Sequence, residues 1–365
     1  MLHNNEIKVL MMLDSFAIGG TETYVLSLTE ELLKQGVSVY VGADSGPLKS
    51  KFDMLRCKIY NYKSNKQKFE EWIRINGINL IHAHSDINGS YALELSQKLN
   101  IPLIYSIHGT YYSNSILQHL LTEFPIQPSI ISVSEPVQRW LKKKGIYSSY
   151  VPNGSDTNEF HAKKSNLREK LAIPENAKVI LYASRLEYEK YKICKLLLEA
   201  YENKITKKFP DVHLLIAGGG LKADKIIKSI NKQNKTNHIQ YIGNRVDMPE
   251  IYSISDYVVG TGRVALEALC CERPVIAIGT YGIFGLVEPD NFDIALKYYF
   301  CDHKRYLPLN INNITNAVKK ALLHEDEKMQ SSKILRQKVQ QRFDVSFVCN
   351  EICNIYKKKI TEVKK

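Results

Sequence analysis

The segment from Asp256 to Ile278, DYVVGTGRVALEALCCERPVIAI, gathers residue types that suit one chemistry. It reads as a short strand, a glycine-rich turn at Gly260-Thr261-Gly262, a helix and a second strand. Such a turn offers bare backbone N–H groups at a helix start, a natural seat for phosphate. Glu267 is the only carboxylate in the apolar run Val264–Cys271, and an unpartnered half-buried carboxylate is costly. Three partners are open to it: the hydroxyls of a nucleotide ribose, loop backbone, or Arg263. The last pair has the weaker helical orientation, with the cation four residues before the anion. Arg185 and Lys190 follow the strand-like run Val179–Ala183, beside the hydroxyl of Ser184. Two cations at the mouth of a strand suit a diphosphate. A surface ion pair with Glu187 or Glu189 is the alternative, worth little energy.

Two further groups lie nearer the N-terminus. Gly19-Gly20 sits between an apolar strand and a helix, where it would let a bulky anionic ligand approach the backbone. It is not a G-x-G-x-x-G, and no acidic residue stands where an NAD ribose needs one. His108, in SIHGT, falls just past the C-terminal end of a strand, where functional residues gather in α/β folds. Gly109 behind it favours close ligand approach, whereas His82 and His84 read as packing or loop-fixing residues. The seven cysteines form no C-x-x-C pair, and no His or Cys cluster completes a metal site. Neither a metal nor a cofactor is expected.

The elements that must hold these residues alternate in two passes. In the first, Ile7–Leu13 is a near-continuous apolar run, the mark of a strand buried on both faces. A helix from Thr21 to about Lys34, ended by Gly36, leads to strand Val37–Gly42. This β–α–β unit predicts a parallel sheet with right-handed crossovers. Strand Leu80–Ala83, a helix near Tyr91–Leu99, strands Leu103–Ile107 and Ile130–Val133, and helix Pro136–Lys144 follow. Polar residues His161–Arg168 read as a linker. The second pass comprises strand Val179–Ala183, helix Ile193–Lys204, strand Val212–Ala217 with the turn Gly218-Gly219-Gly220, helix Ala223–Lys232 and strand Ile239–Ile242. Helix Met248–Ser255, the Asp256–Ile278 segment and its strand Val275–Ile278 complete that sheet, and only helices are expected after Leu307. Two doubly wound halves would place their strand ends across a cleft, where ligands bind in such folds. The domains are therefore set at 1–165 and 166–344, with 345–365 as a final helix.

A length of 365 residues suits two domains, and 44% hydrophobic with 24% charged residues suits a globular chain. No apolar run is long enough to span a bilayer, and MLHNNEIK, running at once into a strand, predicts no secretory signal. A reduced cytoplasmic setting fits the unpaired cysteines. The formal charge of +12 favours anionic partners. Arg139 and Lys142-Lys143-Lys144 flank Trp140 on a helix capped by Ser134. That face suits either an anionic bilayer surface or plain solvation. Further lysines cluster at 357–359 and 364–365. Aromatics do not interleave with the basic clusters in a nucleic-acid-reading pattern, so nucleic acid is not expected as a partner.

Taken in order, IGGTETYVLSLTEEL, IHAHS, SIHGT, VSEPVQRWL, VPNGSDTNEF, ASRLEYEK, LLIAGGG, YIGNRVDMPEIYSISDY and GTGRVALEAL…PVIA resemble the retaining, nucleotide-sugar-dependent glycosyltransferases of family 4. The resemblance implies the GT-B fold, with two Rossmann-like domains facing a cleft and the last helix crossing back to the N-terminal, acceptor-binding domain. It implies that Gly19 and Gly20 lie against the donor diphosphate and the acceptor, and that His108 contacts the transferred sugar. Arg185 and Lys190 would neutralise the leaving diphosphate, with Ser184 and Gly219 beside them. Backbone near Arg245 and Val246 would hold the base. Gly260, Thr261, Gly262, Arg263 and Val264 would cradle phosphate, and Glu267 would bind ribose. His108, Arg185, Lys190 and Glu267 are thus the implied catalytic set, working without a metal.

Two positions depart from the family pattern: Val259 stands where a first glutamate is expected, eight residues before Glu267, and Tyr191 stands where a glycine usually follows the lysine. The expected activity is transfer of a sugar from a UDP- or GDP-sugar to a cell-surface glycan or lipid-linked acceptor, at the inner face of the cell membrane. A degenerate GT-B partner subunit of another glycosyltransferase, and a nucleotide-sugar epimerase, remain as alternatives.

Overall fold

The computed structural model describes residues 6–122, 124–233, 238–303, 306–323 and 328–363. The chain forms two compact units. The first runs to Gly154 and resumes at Phe343, and the second covers Ser155–Arg342.

The first unit is built on seven parallel strands: β1 (Lys8–Ser15), β2 (Ser38–Asp44), β3 (Lys58–Tyr60), β4 (Leu80–Ala83), β5 (Leu103–Ile107), β6 (Ser129–Ser132) and β7 (Ser149–Tyr150), in the order β3-β2-β1-β4-β5-β6-β7. β1 shows why both faces are covered. Val9, Met11 and Leu13 point into one core with Tyr24, Val25, Leu28 and Leu32 of helix Gly20–Lys34. Leu10 and Met12 point into the other, with Phe69, Leu95 and Ile116. Alternation thus feeds two apolar layers from a run that carries no polar side. The last helix, Val345–Val363, lies in the first of these cores through Val348, Cys349, Ile352 and Tyr356, a spacing that lines one helical face. It therefore belongs to the unit that opens the chain.

The second unit carries β8 (Lys178–Ala183), β9 (Val212–Ala217), β10 (Ile239–Gly243), β11 (Tyr257–Gly260), β12 (Val275–Gly279) and β13 (Gly282–Leu286), in the order β10-β9-β8-β11-β12-β13. The pairings are parallel except β12–β13. In each sheet the strand order reverses once, at β1/β4 and at β8/β11. In open α/β sheets a ligand crevice opens beyond the strand ends at such a reversal.

Several elements differ from the sequence reading. The second sheet does not end at β12. The antiparallel β13 follows after a two-residue turn, because Gly282 adopts φ 145° and leaves no room for a Cβ beside the Leu307 carbonyl oxygen at 2.4 Å. The helix expected near Tyr91 begins at Asp86, where the Ser85 hydroxyl accepts from the Asn88 N–H. The helix read as Ile193–Lys204 starts earlier, at Tyr188, and gives way to a π turn at Tyr201–Ile205. Residues 161–168 are held within the second unit: the Lys163 N–H donates to Ser253 Oγ, and the Arg168 guanidinium donates to the Ile254 carbonyl and pairs with Asp256.

Candidate functional site

In the second unit, the ends of β8 and β11 bring together most of the residues singled out for a nucleotide. Ser184 and Arg185 follow β8, and Lys190 lies in the first turn of helix Tyr188–Ala200. Gly260 closes β11, and Thr261 precedes helix Gly262–Cys270. Lys190 Nζ donates to Thr261 Oγ1 at 2.6 Å and to Asp302 Oδ1 at 2.5 Å. Thr261 Oγ1 in turn donates to Asp302 Oδ2 at 2.7 Å. The hydroxyl is thereby committed sideways, and makes no capping bond to its own helix. Arg185 is exposed, and among the described residues it pairs with neither Glu187 nor Glu189. Glu189 instead holds Lys192, and Glu187 accepts from the Leu221 N–H.

The backbone of this region is shaped by glycine. Gly262 has φ 56°, and a Cβ there would stand 2.9 Å from the Tyr299 ring. At Gly218, φ is 136° and a Cβ would fall 1.9 Å from the Ser184 carbonyl oxygen, so the turn after β9 admits no side chain. Gly219 beside it accepts the Leu186 N–H and lies close to Asn244. Beyond β10, Arg245 forms a two-pronged pair with Asp247. That pairing raises the guanidinium further, and it holds the Asp247 carboxyl below its ordinary range against the opposing effect of burial. Val246 is left exposed between them.

Glu267 is buried, and its partners are protein groups. Oε1 accepts from Arg263 Nε at 3.0 Å and Nη2 at 2.7 Å, and Oε2 accepts from the Tyr252 hydroxyl at 3.0 Å. Of the partners open to it in the sequence, Arg263 is the one present here. Burial, rather than residue order, decides its strength: both side chains are more than nine-tenths buried. The Glu267 charge and burial together drive the Tyr252 phenol well above its usual range, burial being the larger cause. Val264 lies half-buried on the same helix, with its Cγ1 against Gly260.

The first unit carries its polar residues at the ends of β1, β4 and β5. Gly19 is extended and precedes helix Gly20–Lys34, where its carbonyl accepts from the Thr23 N–H and hydroxyl. His108, just past β5, is half-buried, with Nε2 3.2 Å from His84 Nδ1. The His84 ring lies tilted against that of His82, with centroids 4.0 Å apart. His82 bridges Ser106 Oγ at 2.8 Å and the Tyr356 hydroxyl at 2.6 Å, tying the last helix to the strand ends. Burial, reinforced by the charge of His108, lowers His82 to about 3, and burial likewise pushes His84 far down. Both are core imidazoles that stay neutral, in keeping with a packing role. Gly109 gives its space to the Tyr111 ring, which a Cβ would meet at 2.1 Å.

The basic helix spans Glu135–Lys143, with the Ser134 hydroxyl accepting from the Val137 N–H. Lys142, Lys143 and Lys144 are exposed, and Arg139 pairs with Glu135. Trp140 packs against the core rather than projecting with the lysines. Of the C-terminal lysines, 357 and 358 are exposed and Lys359 is buried beside Glu362, while the pair at 364–365 lies outside the described residues. Among the described residues, no helix is long and apolar enough to cross a membrane.

Asp302, Thr280 and Tyr252 were not singled out in the sequence. Asp302 acts on Lys190 across 112 positions, from a stretch with no strand or helix period. Nothing local marks it. Tyr252 is legible only once Glu267 needs a second partner.

Residues 163–331 match the family model described as glycosyl transferases group 1, and residues 18–159 match that of glycosyltransferase family 4. The uncharacterized glycosyltransferase MJ1607 of Methanocaldococcus jannaschii is 24% identical over 252 residues, covering 61% of this chain and 64% of that protein. The phosphatidyl-myo-inositol mannosyltransferase of Mycobacterium tuberculosis is 26% identical over 223 residues, covering 55% of this chain and 57% of that protein. The matched region thus spans little more than half of these relatives. The solved structure of Anabaena Alr3699/HepE in complex with UDP and glucose has a similar fold, with a TM-score of 0.78 at 19% identity over 97% of this chain and 100% of that one. One family model falls mainly on each unit, the fold agrees across nearly the whole length, and the chain belongs to the family 4 glycosyltransferases, with the GT-B fold.

Proposed function

We propose that the protein is a retaining glycosyltransferase that moves a sugar from a UDP- or GDP-sugar to a cell-surface glycan or lipid-linked acceptor. The observation that carries this reading is the cluster at the β8/β11 reversal. There, exposed Arg185 and the half-buried ammonium of Lys190 stand with the glycine turn that opens helix Gly262–Cys270. Two cations and a run of backbone N–H groups suit a diphosphate. As the glycosidic bond to the donor breaks, negative charge builds on the leaving diphosphate. Preorganised cations that meet it there supply the main catalytic effect. In this proposal Arg185 and Lys190 take that role without a metal ion. In the same proposal the backbone near Arg245 and Val246 would hold the base, and Gly19, Gly20 and His108 would serve the sugar and acceptor. The acceptor would attack the face the leaving group departs from, with the diphosphate itself taking the proton.

Glu267 enters this proposal as a group that must change partners or share them, since Arg263 and Tyr252 hold its oxygens here. Ribose hydroxyls would donate to the Glu267 carboxylate, sharing its oxygens with Arg263 and Tyr252 or displacing them. The same engagement favours a second reading, in which the chain binds a partner glycosyltransferase and does no chemistry. A thermal-shift screen of nucleotide sugars, followed by donor turnover on each hit, separates the two. Binding with turnover is expected. Binding without turnover would favour the partner subunit, and absence of binding to every nucleotide sugar would sink the transferase reading.

The relative named for phosphatidyl-myo-inositol mannosyl transfer supports a lipid-linked acceptor. The exposed lysines 142–144 support apposition to an anionic bilayer, and the exposed Tyr147 beside them would add an interfacial aromatic.

A further inference from the structure

We propose that Asp302 is the positioning residue of the donor site, fixing the Lys190 ammonium against Thr261 so that its remaining N–H faces the diphosphate. The inference rests on the donor reading of the second unit and adds to it a residue outside the family pattern.

The geometry is closed on three sides. Of the three N–H groups on Lys190, one goes to Asp302 and one to Thr261, leaving the third for a ligand. Asp302 is itself over-determined: Oδ2 accepts from Thr261, and Oδ1 accepts from the Thr280 N–H at 3.1 Å and its hydroxyl at 3.3 Å as well as from Lys190. Lysine, aspartate and threonine form a ring of three mutual hydrogen bonds at the point where helix Gly262–Cys270 begins. A flexible four-carbon stem ending in a point charge gains most from such fixing.

The backbone is strained to deliver this carboxylate. Tyr299, Phe300 and Cys301 hold φ of 51°, 59° and 72°, three consecutive non-glycine residues in the left-handed region. That region is unfavourable for any residue with a Cβ. Phe300 and Cys301 are fully buried, so packing maintains the conformation. Gly279 makes room for the passage: a Cβ there would stand 2.4 Å from the Cys301 carbonyl. The strain ends at Asp302. Burial would push its carboxyl up, but the Lys190 charge and the bonds from Lys190, Thr261 and Thr280 prevail and hold it below the usual carboxylate range. It is therefore held as a carboxylate at neutral pH.

Position 259 itself offers no carboxylate to this site. Val259 is fully buried in β11, paired with Tyr182 and Ile276 inside the apolar core. Val259 stands where the family pattern has its first glutamate, and Asp302, beyond β13, is the carboxylate that accepts from Thr261 in the turn.

A double-mutant cycle on the full chain, read by calorimetric UDP binding, tests this. Asp302→Ala is expected to weaken UDP by about tenfold, and Lys190→Ala by at least as much. Because Asp302 acts through Lys190, the double variant should bind no more weakly than Lys190→Ala alone. A residue that merely supported the fold would add its own loss. If Asp302→Ala does not fold, Asp302→Asn replaces it in the cycle, keeping volume and one acceptor oxygen while removing the charge. Undiminished UDP affinity in the Asp302 variant, or full additivity in the double variant, overturns the inference and leaves the donor reading standing. Wild-type protein that binds neither UDP nor GDP would remove the donor reading and this inference together.

Discussion

Glu267 and Arg263 set a trap for mutagenesis. Their pair is buried, so truncating one partner takes a close counter-charge from the other where water does not replace it. Glu267→Ala should therefore cost about 3–5 kcal/mol of stability, visible as a lower urea midpoint. Glu267→Gln keeps one acceptor oxygen for Arg263 and turns an amide N–H toward the Tyr252 hydroxyl, which can accept it, and should lose clearly less. A drop in turnover that appears in both variants, with stability preserved in the glutamine one, would assign Glu267 a direct role; a drop confined to the alanine variant would be a stability effect. The histidines make a second residue-scale prediction. His82 is lowered to about 3 by burial and by His108, from an ordinary value of 6.5. Its unfolded form takes up a proton first, so the stability it lends the neutral state is present above pH 6.5. That stability is lost as pH falls from there toward 3, at about 1.4 kcal/mol per pH unit for one fully differential group. His84 shifts the same way and steepens the loss. Denaturant midpoints measured from pH 7 to 5 should fall accordingly, and His82→Gln should flatten the slope by close to one proton. A slope unchanged by that substitution would count against the linkage.

At the scale of elements, the glycine turn before helix Gly262–Cys270 carries the next prediction. Gly262→Ala must put a Cβ at φ 56°, 2.9 Å from Tyr299. It should destabilise by at least about 1 kcal/mol and weaken UDP binding, whereas Ala265→Gly, buried in the same helix, should lower stability through propensity and the lost methyl while leaving UDP binding intact. Thermal melts and UDP titrations on the two variants distinguish a reshaped turn from a weakened helix. This turn was readable before any coordinates, and the reasons are physical. β1, β4, β5, β8 and β9 are buried on both faces, so their sequences are apolar runs that stand out from their surroundings. Helix starts such as Ser134 carry side-chain caps. The elements that escaped notice lack such marks. β3 is a three-residue edge strand with an exposed Lys58, and helix Phe292–Lys297 has fewer than two turns. Asp302 was invisible for a different reason: its meaning lies in a contact with Lys190 and Thr261, and in three left-handed residues no propensity would choose. Local pattern reveals what local burial requires. It does not reveal a carboxylate whose partners come from a distant helix, the residue before another and the turn after β12.

For the whole molecule, the excess of 12 positive charges has to be weighed by where it stands. Scattered lysines raise solubility and draw anions at long range, and salt screens them within about 8–10 Å. A membrane-facing site requires several charges on one exposed face. The helix Glu135–Lys143 and the residue after it supply Lys142, Lys143 and Lys144 with no described ion pair among them, while Arg139 is partly offset by Glu135. Trp140 does not join them, because it packs inward, so attachment through this face should be chiefly electrostatic rather than by insertion. At about 1 kcal/mol for each lysine near an anionic surface, replacing Lys142, Lys143 and Lys144 with glutamine should weaken binding to phosphatidylglycerol-containing vesicles by on the order of a hundredfold in low salt. Raising the salt should release the wild type and leave the variant little changed. Co-sedimentation across a salt series measures both. Binding that survives the triple substitution would move the contact to another surface, and binding that survives high salt would require an inserted apolar group, for which the exposed Tyr147 is the nearest candidate.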